Sequence, residues 1–217
     1  MKRVAMQQGS NRMMSAGARK RGIAAAGVLA ATLLLSGCLG LGGKVPDQLI
    51  SLTARDVAPA GAVDQGRVGE ALAVLDPEAD RRIDVQRVPV QIDDSAVAYL
   101  KDAMWVERPA RQFRHLLAET IRARTGRLTL ESGEAGVVAR ETLSGRLADM
   151  GYDARSRSVV VRFDAIRKDA KGAVGARRFE ARVSGIAPTA AAVAPALNRA
   201  ANDVAAQVAD WIGQAGG

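Results

Sequence analysis

The chain has 217 residues, of which 48% are hydrophobic and 3% aromatic. Its formal net charge of +8 would by itself indicate a partner such as nucleic acid. Residues 1–22, however, contain six basic and no acidic side chains, and removing these six from the 31 basic residues leaves 25 against 23 acidic ones. The rest of the chain is therefore nearly neutral, which argues against nucleic-acid binding, because such binding needs a concentrated basic surface. Roughly 180 residues remain, which favours a single domain.

The N-terminal segment has the order of an export signal. Residues 23–35 follow the basic stretch and are uncharged, with mostly Ala and Leu. At about 1.5 Å per residue this apolar run falls short of a bilayer core of roughly 30 Å, so no permanent membrane-spanning helix is expected. Small residues and a cysteine, Leu35-Ser36-Gly37-Cys38, close the segment. This pattern resembles the lipobox of bacterial lipoproteins.

Cys38 is the only cysteine, so the chain has no intramolecular disulfide. We predict that residues 1–37 are a cleaved signal peptide, that Cys38 becomes the lipid-bearing N-terminus, that 38–48 form a flexible tether, and that 49–214 form a periplasmic domain. An incidental thiol behind a conventional signal is the alternative. Leu39 follows the cysteine, whereas Asp there is associated with retention at the inner membrane. The resemblance to bacterial lipoproteins therefore implies the outer membrane, facing the periplasm.

The first half of the domain contains four segments that are expected to be extended. A β-prone run covers residues 49–53, and an apolar run over 71–75 predicts a buried strand. Residues 87–92 alternate apolar and polar side chains, and Pro89 within them predicts an edge strand, because proline cannot donate to a ladder. The turn Asp93-Asp94-Ser95 then leads into an extended segment over 97–105.

Two helices and a strand meander are expected in the second half. Pro109 is suited to a first turn and opens a helix over 109–124, whose apolar stripe is Phe113, Leu116, Leu117 and Ile121. Period-two alternation in three stretches of the region 138–185 predicts an antiparallel three-stranded meander. A final helix is expected after Gly185, capped by Thr189 and stopped by Gly213, with the stripe Val193, Leu197, Val204, Val208 and Ile212. Pro195 either kinks this helix or marks its first turn.

Together these elements predict an α+β fold, with a single antiparallel or mixed sheet and two amphipathic helices packed on one face. The sequence carries no recognisable catalytic constellation, and we expect neither enzymatic activity nor a bound cofactor or metal. His115, the only histidine, falls on the polar face of its helix, and the adjacent Asp93 and Asp94 are more typical of a turn than of an acid/base pair. Trp105 is expected in the core or at its rim, with a partner interface as the alternative.

The stretch from Arg87 to Arg124 resembles the ABC-type transport auxiliary lipoproteins, the PqiC-like group. It reads Arg-Val-Pro-Val-Gln-Ile, then an extended segment with Tyr99, Trp105 and Pro109, then a Leu-rich helix. The lipobox before it, and the meander and amphipathic helix after it, extend the resemblance over nearly the whole mature chain. The resemblance implies an α/β fold similar to the N-terminal domain of TolB-like periplasmic proteins.

The resemblance further implies a non-enzymatic lipoprotein that docks the MCE protein of a lipid transport system at the outer membrane. Its partners would be the MCE-domain protein and, through it, an ABC permease and ATPase, and assembly of several copies around an MCE ring stays open. Because Arg178, Glu180 and Arg182 fall on the wet face of a predicted strand, we expect them to contribute to the docking surface. A periplasmic lipid-binding carrier and a structural lipoprotein of envelope or secretion assembly are the alternatives.

Overall fold

The computed structural model describes residues 46–62, 70–131 and 139–214. They form two layers, a mixed eight-stranded sheet and two helices that pack on each other and on the sheet. The apolar stripes of both helices and the strand residues that face them make one hydrophobic core. The predicted α+β class is therefore confirmed. The predicted signal peptide and Cys38 lie outside the described residues.

The long strand β6 organises the sheet. It pairs antiparallel with β7, and the same β6 residues pair in parallel with β1, β2 and β3, which therefore lie along its other side. Beyond these neighbours, β4 pairs with β3, β5 with β1, and β8 with β7. The elements in chain order are β1 (Leu72–Val74), β2 (Glu78–Ala79), β3 (Arg87–Gln91), β4 (Val97–Met104), α1 (Pro109–Thr125), β5 (Thr129–Glu131), β6 (Glu141–Asp153), β7 (Ser158–Lys168), β8 (Val174–Ser184) and α2 (Ala190–Gln214).

Two expectations for the first half of the domain are wrong. Residues 49–53 do not form a strand, since only Ile50 makes an isolated bridge, to Trp105. Pro89 does not lie on an edge strand, because β3 sits between β4 and β6. The proline is accommodated at a shift of register in the β3–β4 ladder, and β3 pairs with β6 only through Val90 and Gln91. Its missing N–H therefore interrupts no bond to β6.

Helix α1 begins at Pro109 and ends one residue beyond the predicted limit. Gly126 follows it in the left-handed conformation with φ of 64°, and its N–H donates to the carbonyl of Arg122. Glycine adopts this cap without the steric cost that a side chain would bring. The predicted stripe of Phe113, Leu116, Leu117 and Ile121 is buried in the core.

The meander of β6, β7 and β8 is present as predicted, with one irregularity. A bulge between Leu147 and Asp149 inserts an extra residue into β6. Buried side chains therefore fall at Leu143 and Leu147 before the bulge but at Met150 and Tyr152 after it. A strict period of two cannot describe a strand with such an insertion.

Helix α2 starts after Thr189, whose Oγ1 accepts a hydrogen bond of 3.4 Å from the N–H of Ala192, so the predicted cap is confirmed. Pro195 lies inside the helix, so of the two alternatives left open, a place in the first turn is excluded. Gly213 does not stop the helix, which continues to Gln214. The predicted stripe is fully buried at Val193, Leu197, Val204, Val208 and Ile212.

Candidate partner interface

The side of the sheet that faces away from the helices carries the predicted docking residues. In β8 the side chain of Phe179 is buried against the helix layer, whereas its neighbours Arg178 and Glu180 are exposed. Strand side chains alternate between faces, so Arg178, Glu180 and Arg182 lie together on the uncovered side. We call this side the open face, and its charged residues on the three meander strands are Arg146, Asp149, Asp153, Arg162, Asp164, Lys168, Arg178, Glu180 and Arg182.

Ion pairs cross the open face from strand to strand. Arg178 binds Asp164 with two hydrogen bonds of 2.5 and 2.7 Å, an arrangement in which the guanidinium matches the planar carboxylate. Arg162 donates to Glu180 at 2.7 Å, and Arg182 lies 3.5 Å from the other oxygen of Glu180. The signs therefore alternate between neighbours, and the face presents ordered charges of both signs.

These contacts move the pKa values of the carboxyl groups in opposite directions. The hydrogen bond from Arg178 holds the pKa of Asp164 below its ordinary value, and Arg162 lowers the pKa of Glu180 in the same way. The pKa of Asp149 is raised, because burial outweighs the attraction of Arg82 and Arg162. The charged state is therefore favoured at Asp164 and Glu180, whereas burial disfavours the charged state of Asp149.

We expect Asp149→Asn to leave the free energy of unfolding at neutral pH unchanged or slightly higher, and Asp164→Asn to lower it. The folded-state pKa of Asp149 lies above the unfolded value, so its contribution is present below the unfolded pKa and is lost as pH rises through the folded one. For Asp164 the shift is reversed, so its contribution is lost as pH falls through the folded pKa. Urea unfolding across a pH series measures both effects.

In that series the deficit of Asp164→Asn should shrink as the pH falls below about 4, where carboxyl groups take up protons. Equal losses for both variants at neutral pH would contradict the opposite signs of the two shifts.

Trp105 does not belong to the open face. Its side chain is 0% exposed and lies in the hydrophobic core. The expected place in the core is therefore confirmed, and the alternative of a partner interface at Trp105 is wrong, because a fully buried indole offers no surface to a partner. Its Nε1 has no hydrogen-bond partner among the described residues. Of the other residues that carried the family resemblance, Pro109 is buried and Tyr99 is half-buried with the Arg87 guanidinium 4.0 Å above its ring.

His115 is exposed on α1 and belongs to a charged cluster. Its Nδ1 lies 2.5 Å from a carboxylate oxygen of Glu131, which also pairs at 3.0 Å with the buried guanidinium of Arg114. Arg114 reaches Asp76 as well, at 2.7 Å. No local pattern indicated that Arg114 is buried, because it follows Phe113 directly and breaks the apolar stripe. Within the described ranges, no group of three or more His, Cys, Asp or Glu side chains is placed to hold a metal ion.

The pair Asp93 and Asp94 forms the predicted turn. The carboxylate of Asp93 accepts hydrogen bonds of 2.8 Å from the N–H groups of Ser95 and Ala96. The hydrogen bond from Ser95 is the main reason why the pKa of Asp93 is lowered. A carboxylate stabilised in its charged form by a turn is poorly suited to donate a proton.

A surface cleft of about 520 Å³ lies at the N-terminal end of α1. Four of its charged residues are paired with each other, Arg108 with Asp84 and Arg111 with Glu107, and the fifth, Asp76, pairs with Arg114. The cleft therefore has no excess charge of either sign at these positions. In the part of the chain that the structure covers, no helix is long and apolar enough to cross a bilayer.

An irregular segment, residues 50–58, binds both helices; we call it the strap. Its first residues lie in the run that was expected to be extended, but its contacts with the helices were not predicted. Side chains of the helices bind its backbone as a neighbouring strand would. Gln112 accepts from Leu52 N–H at 2.8 Å, and Glu119 accepts from Ala58 N–H at 2.8 Å. Asn202, which is buried, accepts from Arg55 N–H at 2.7 Å and donates to the carbonyl of Thr53 at 2.9 Å. The only signal in the sequence is the spacing of four between Asn198 and Asn202 on an Ala-rich helix.

Comparison with known proteins gives one family and a fold. A family model described as the ABC-type transport auxiliary lipoprotein component matches residues 51–209. A crystal structure of a Xanthomonas campestris protein from a domain family of unknown function superposes with a TM-score of 0.62 at 17% identity, covering 78% of this chain and 96% of that one. The crystal structure of an uncharacterised protein superposes with a TM-score of 0.59 at 13% identity, covering 76% and 99%. No curated protein gives a match to the chain. At these identities the structural likeness supports the fold alone.

Proposed function

Since the chain belongs to the family of ABC-type transport auxiliary lipoprotein components, we propose that it is the non-enzymatic lipoprotein of an MCE-type lipid transport system and docks the MCE protein at the outer membrane. The observation that carries this proposal is the extent of the family match, which runs from the strap to the last turns of α2. A Walker-type phosphate loop is absent from the sequence, so ATP would be hydrolysed by another subunit.

The open face supports a docking role. It combines ordered Arg and Asp or Glu side chains on rigid strands, and Arg178 and Glu180 are fixed by their neighbours before any partner arrives. Preordered charges lose little conformational freedom on binding and select a partner of complementary charge. Both helices cover the other side of the sheet, so the open face is the side of the sheet that a partner can reach.

Reversing the three charges together, Arg178→Glu with Glu180→Arg and Arg182→Glu, is expected to weaken docking more than it weakens the fold. The pairs that are lost lie at the surface, where ion pairs contribute little to the free energy of unfolding. Co-purification of the MCE protein from the native envelope, after mild cross-linking, measures docking, and urea unfolding measures stability.

The matched control is Arg111→Glu, which changes an exposed cation on α1 away from the sheet. If Arg111→Glu reduced recovery of the MCE protein as strongly as the triple variant, the open face would not be the docking surface. Unchanged recovery of the MCE protein with the triple variant would do the same.

Anchoring is tested separately by Cys38→Ser. We propose that this variant loses the lipid and fractionates away from the outer membrane, because a single thiol carries the whole attachment and each buried CH₂ of the acyl chains contributes about 0.8 kcal/mol. Mass spectrometry of the mature N-terminus and sucrose-gradient fractions of the membranes give the readout. An unlipidated Cys38 in the wild-type protein would exclude the anchor, and a phospholipid retained by the domain in native mass spectrometry would favour a carrier instead.

A further inference from the structure

Strand β8 is a long, regular edge of the sheet. It pairs with β7 over all of Val174–Ser184 without a shift of register. No strand in the described ranges pairs with its other side. The other sheet edges are less suitable for pairing, because β5 has three residues and β4 contains Asp102 with φ of 54°. The free side of β8 is therefore the one extensive template for a further strand among the described elements.

The geometry of the hairpin identifies the backbone groups on the free side. Asp169 N–H donates to the carbonyl of its register partner Ala173 at 2.9 Å, so the odd-numbered residues of β8 bond to β7. The even-numbered residues, from Val174 to Ser184, therefore direct N–H and carbonyl groups outward. In agreement, the outward carbonyl of Glu180 is reached by the side chain of Gln207 at 3.4 Å.

The charges of β8 are complementary to those of a second β8 that runs antiparallel. The midpoint of Val174–Ser184 is Phe179, so a full overlap places Arg178 opposite Glu180 of the second copy, and Glu180 opposite its Arg178. Ala176 then lies opposite Arg182, and no like charges are paired. Centring the pair on Glu180 instead would place Glu180 opposite itself and Arg178 opposite Arg182. The register with the longest overlap thus also has matched charges.

We propose that two copies of this chain associate through antiparallel pairing of their β8 strands about Phe179, which joins the two sheets into one. Charged side chains on an edge strand commonly keep other strands away. Here the order of the signs has the opposite effect, because it repels the register centred on Glu180, while the register centred on Ala181, which also matches charges, overlaps over only residues 178–184 of the strand. Gln207 is displaced from the carbonyl of Glu180 when the second strand binds.

The test uses two single reversals in the full-length protein, purified in mild detergent, with the mass measured by analytical ultracentrifugation. Arg178→Glu places two acidic pairs across the interface, and Glu180→Arg places two basic pairs there. Each variant alone is expected to raise the dissociation constant by at least about tenfold, since two attractive pairs become repulsive. An equimolar mixture of the two variants should form a heterodimer. Positions 178 and 180 are both acidic in Arg178→Glu and both basic in Glu180→Arg, so each acidic residue of one chain faces a basic residue of the other.

Circular dichroism verifies that each variant is folded, and Arg111→Glu is the control that should keep the wild-type mass. The triple charge reversal described above keeps opposite signs at 178 and 180, so it should remain dimeric while losing its docking partner. A monomeric wild-type protein overturns the proposal, and so does a mixture that fails to associate. Loss of MCE recovery in both single reversals, with a monomeric wild type, would assign the edge to a partner protein and also overturn it.

Discussion

Replacing Gly145 by alanine is expected to cost on the order of 4 kcal/mol or more, which would leave little or no folded domain. A Cβ at this position would lie 2.1 Å from the backbone carbonyl oxygen of Asp164 and 2.9 Å from two ring carbons of Phe163. Its φ of +153° is also unfavourable for a residue with a side chain. The clash involves the backbone of the adjacent strand β7, which cannot move without separating the ladder. Urea unfolding and the yield of soluble protein measure the effect.

Gly172→Ala separates the clash from the backbone strain. Gly172 has φ of +90° but nothing within 4 Å of an added Cβ, so its replacement should cost only about 1 kcal/mol. If the two variants lost equal stability, steric contact with β7 would not be the cause of the effect at Gly145.

Asn202→Ala is expected to lower the free energy of unfolding by about 3 kcal/mol, because alanine leaves several backbone groups without a hydrogen-bond partner. The Asn202 side chain accepts from Arg55 N–H and donates to the carbonyls of Thr53 and Asn198, and it is buried between the strap and α2. We therefore expect the strap to detach locally before the domain unfolds. Hydrogen exchange should show lost protection at the Arg55 amide, and urea unfolding should show the lower stability.

Asn198→Ala is the matched control for Asn202. Asn198 accepts one exposed hydrogen bond from the strap, from Thr53 N–H, so its loss should cost about 1 kcal/mol or less. Asn202→Asp keeps the shape and the acceptor but presents an oxygen to the Thr53 carbonyl, and it should destabilise the strap as well. A stable protein with an unchanged strap in the Asn202→Asp variant would show that the donor bond to Thr53 is not needed.

The predictable parts of the fold are those that a local pattern determines. The stripe that contains Phe113 and Ile121 gives α1 its buried face, and the alternation in β7 and β8 places Phe179 inside and Arg178 outside. These positions follow from the geometry of a helix or a strand alone. The location of the predicted docking charges on one open face rests on the same alternation, although the docking itself stays a prediction.

The features that sequence reasoning missed depend on contacts between distant residues. Pro89 lies in an interior strand because a register shift accommodates it, and the bulge in β6 changes which residues are buried after Leu147. Asn202 binds a segment about 150 residues away in the sequence. A single sequence records such long-range pairings only as isolated polar or irregular residues.

The dependence of three parallel strands on β6 also has a consequence for the order of folding. Leu72 of β1 pairs with Thr129 of β5 and with Glu141 of β6, so the first strand has no parallel neighbour until more than half of the chain has been delivered. A chain that crosses a membrane N-terminus first presents β1 to β4 before their central partner. The β6–β7–β8 meander, in contrast, is built from local contacts, which form quickly. We expect it to nucleate folding from the C-terminal side, and we expect β1 and β2 to join the sheet only after β6 has formed.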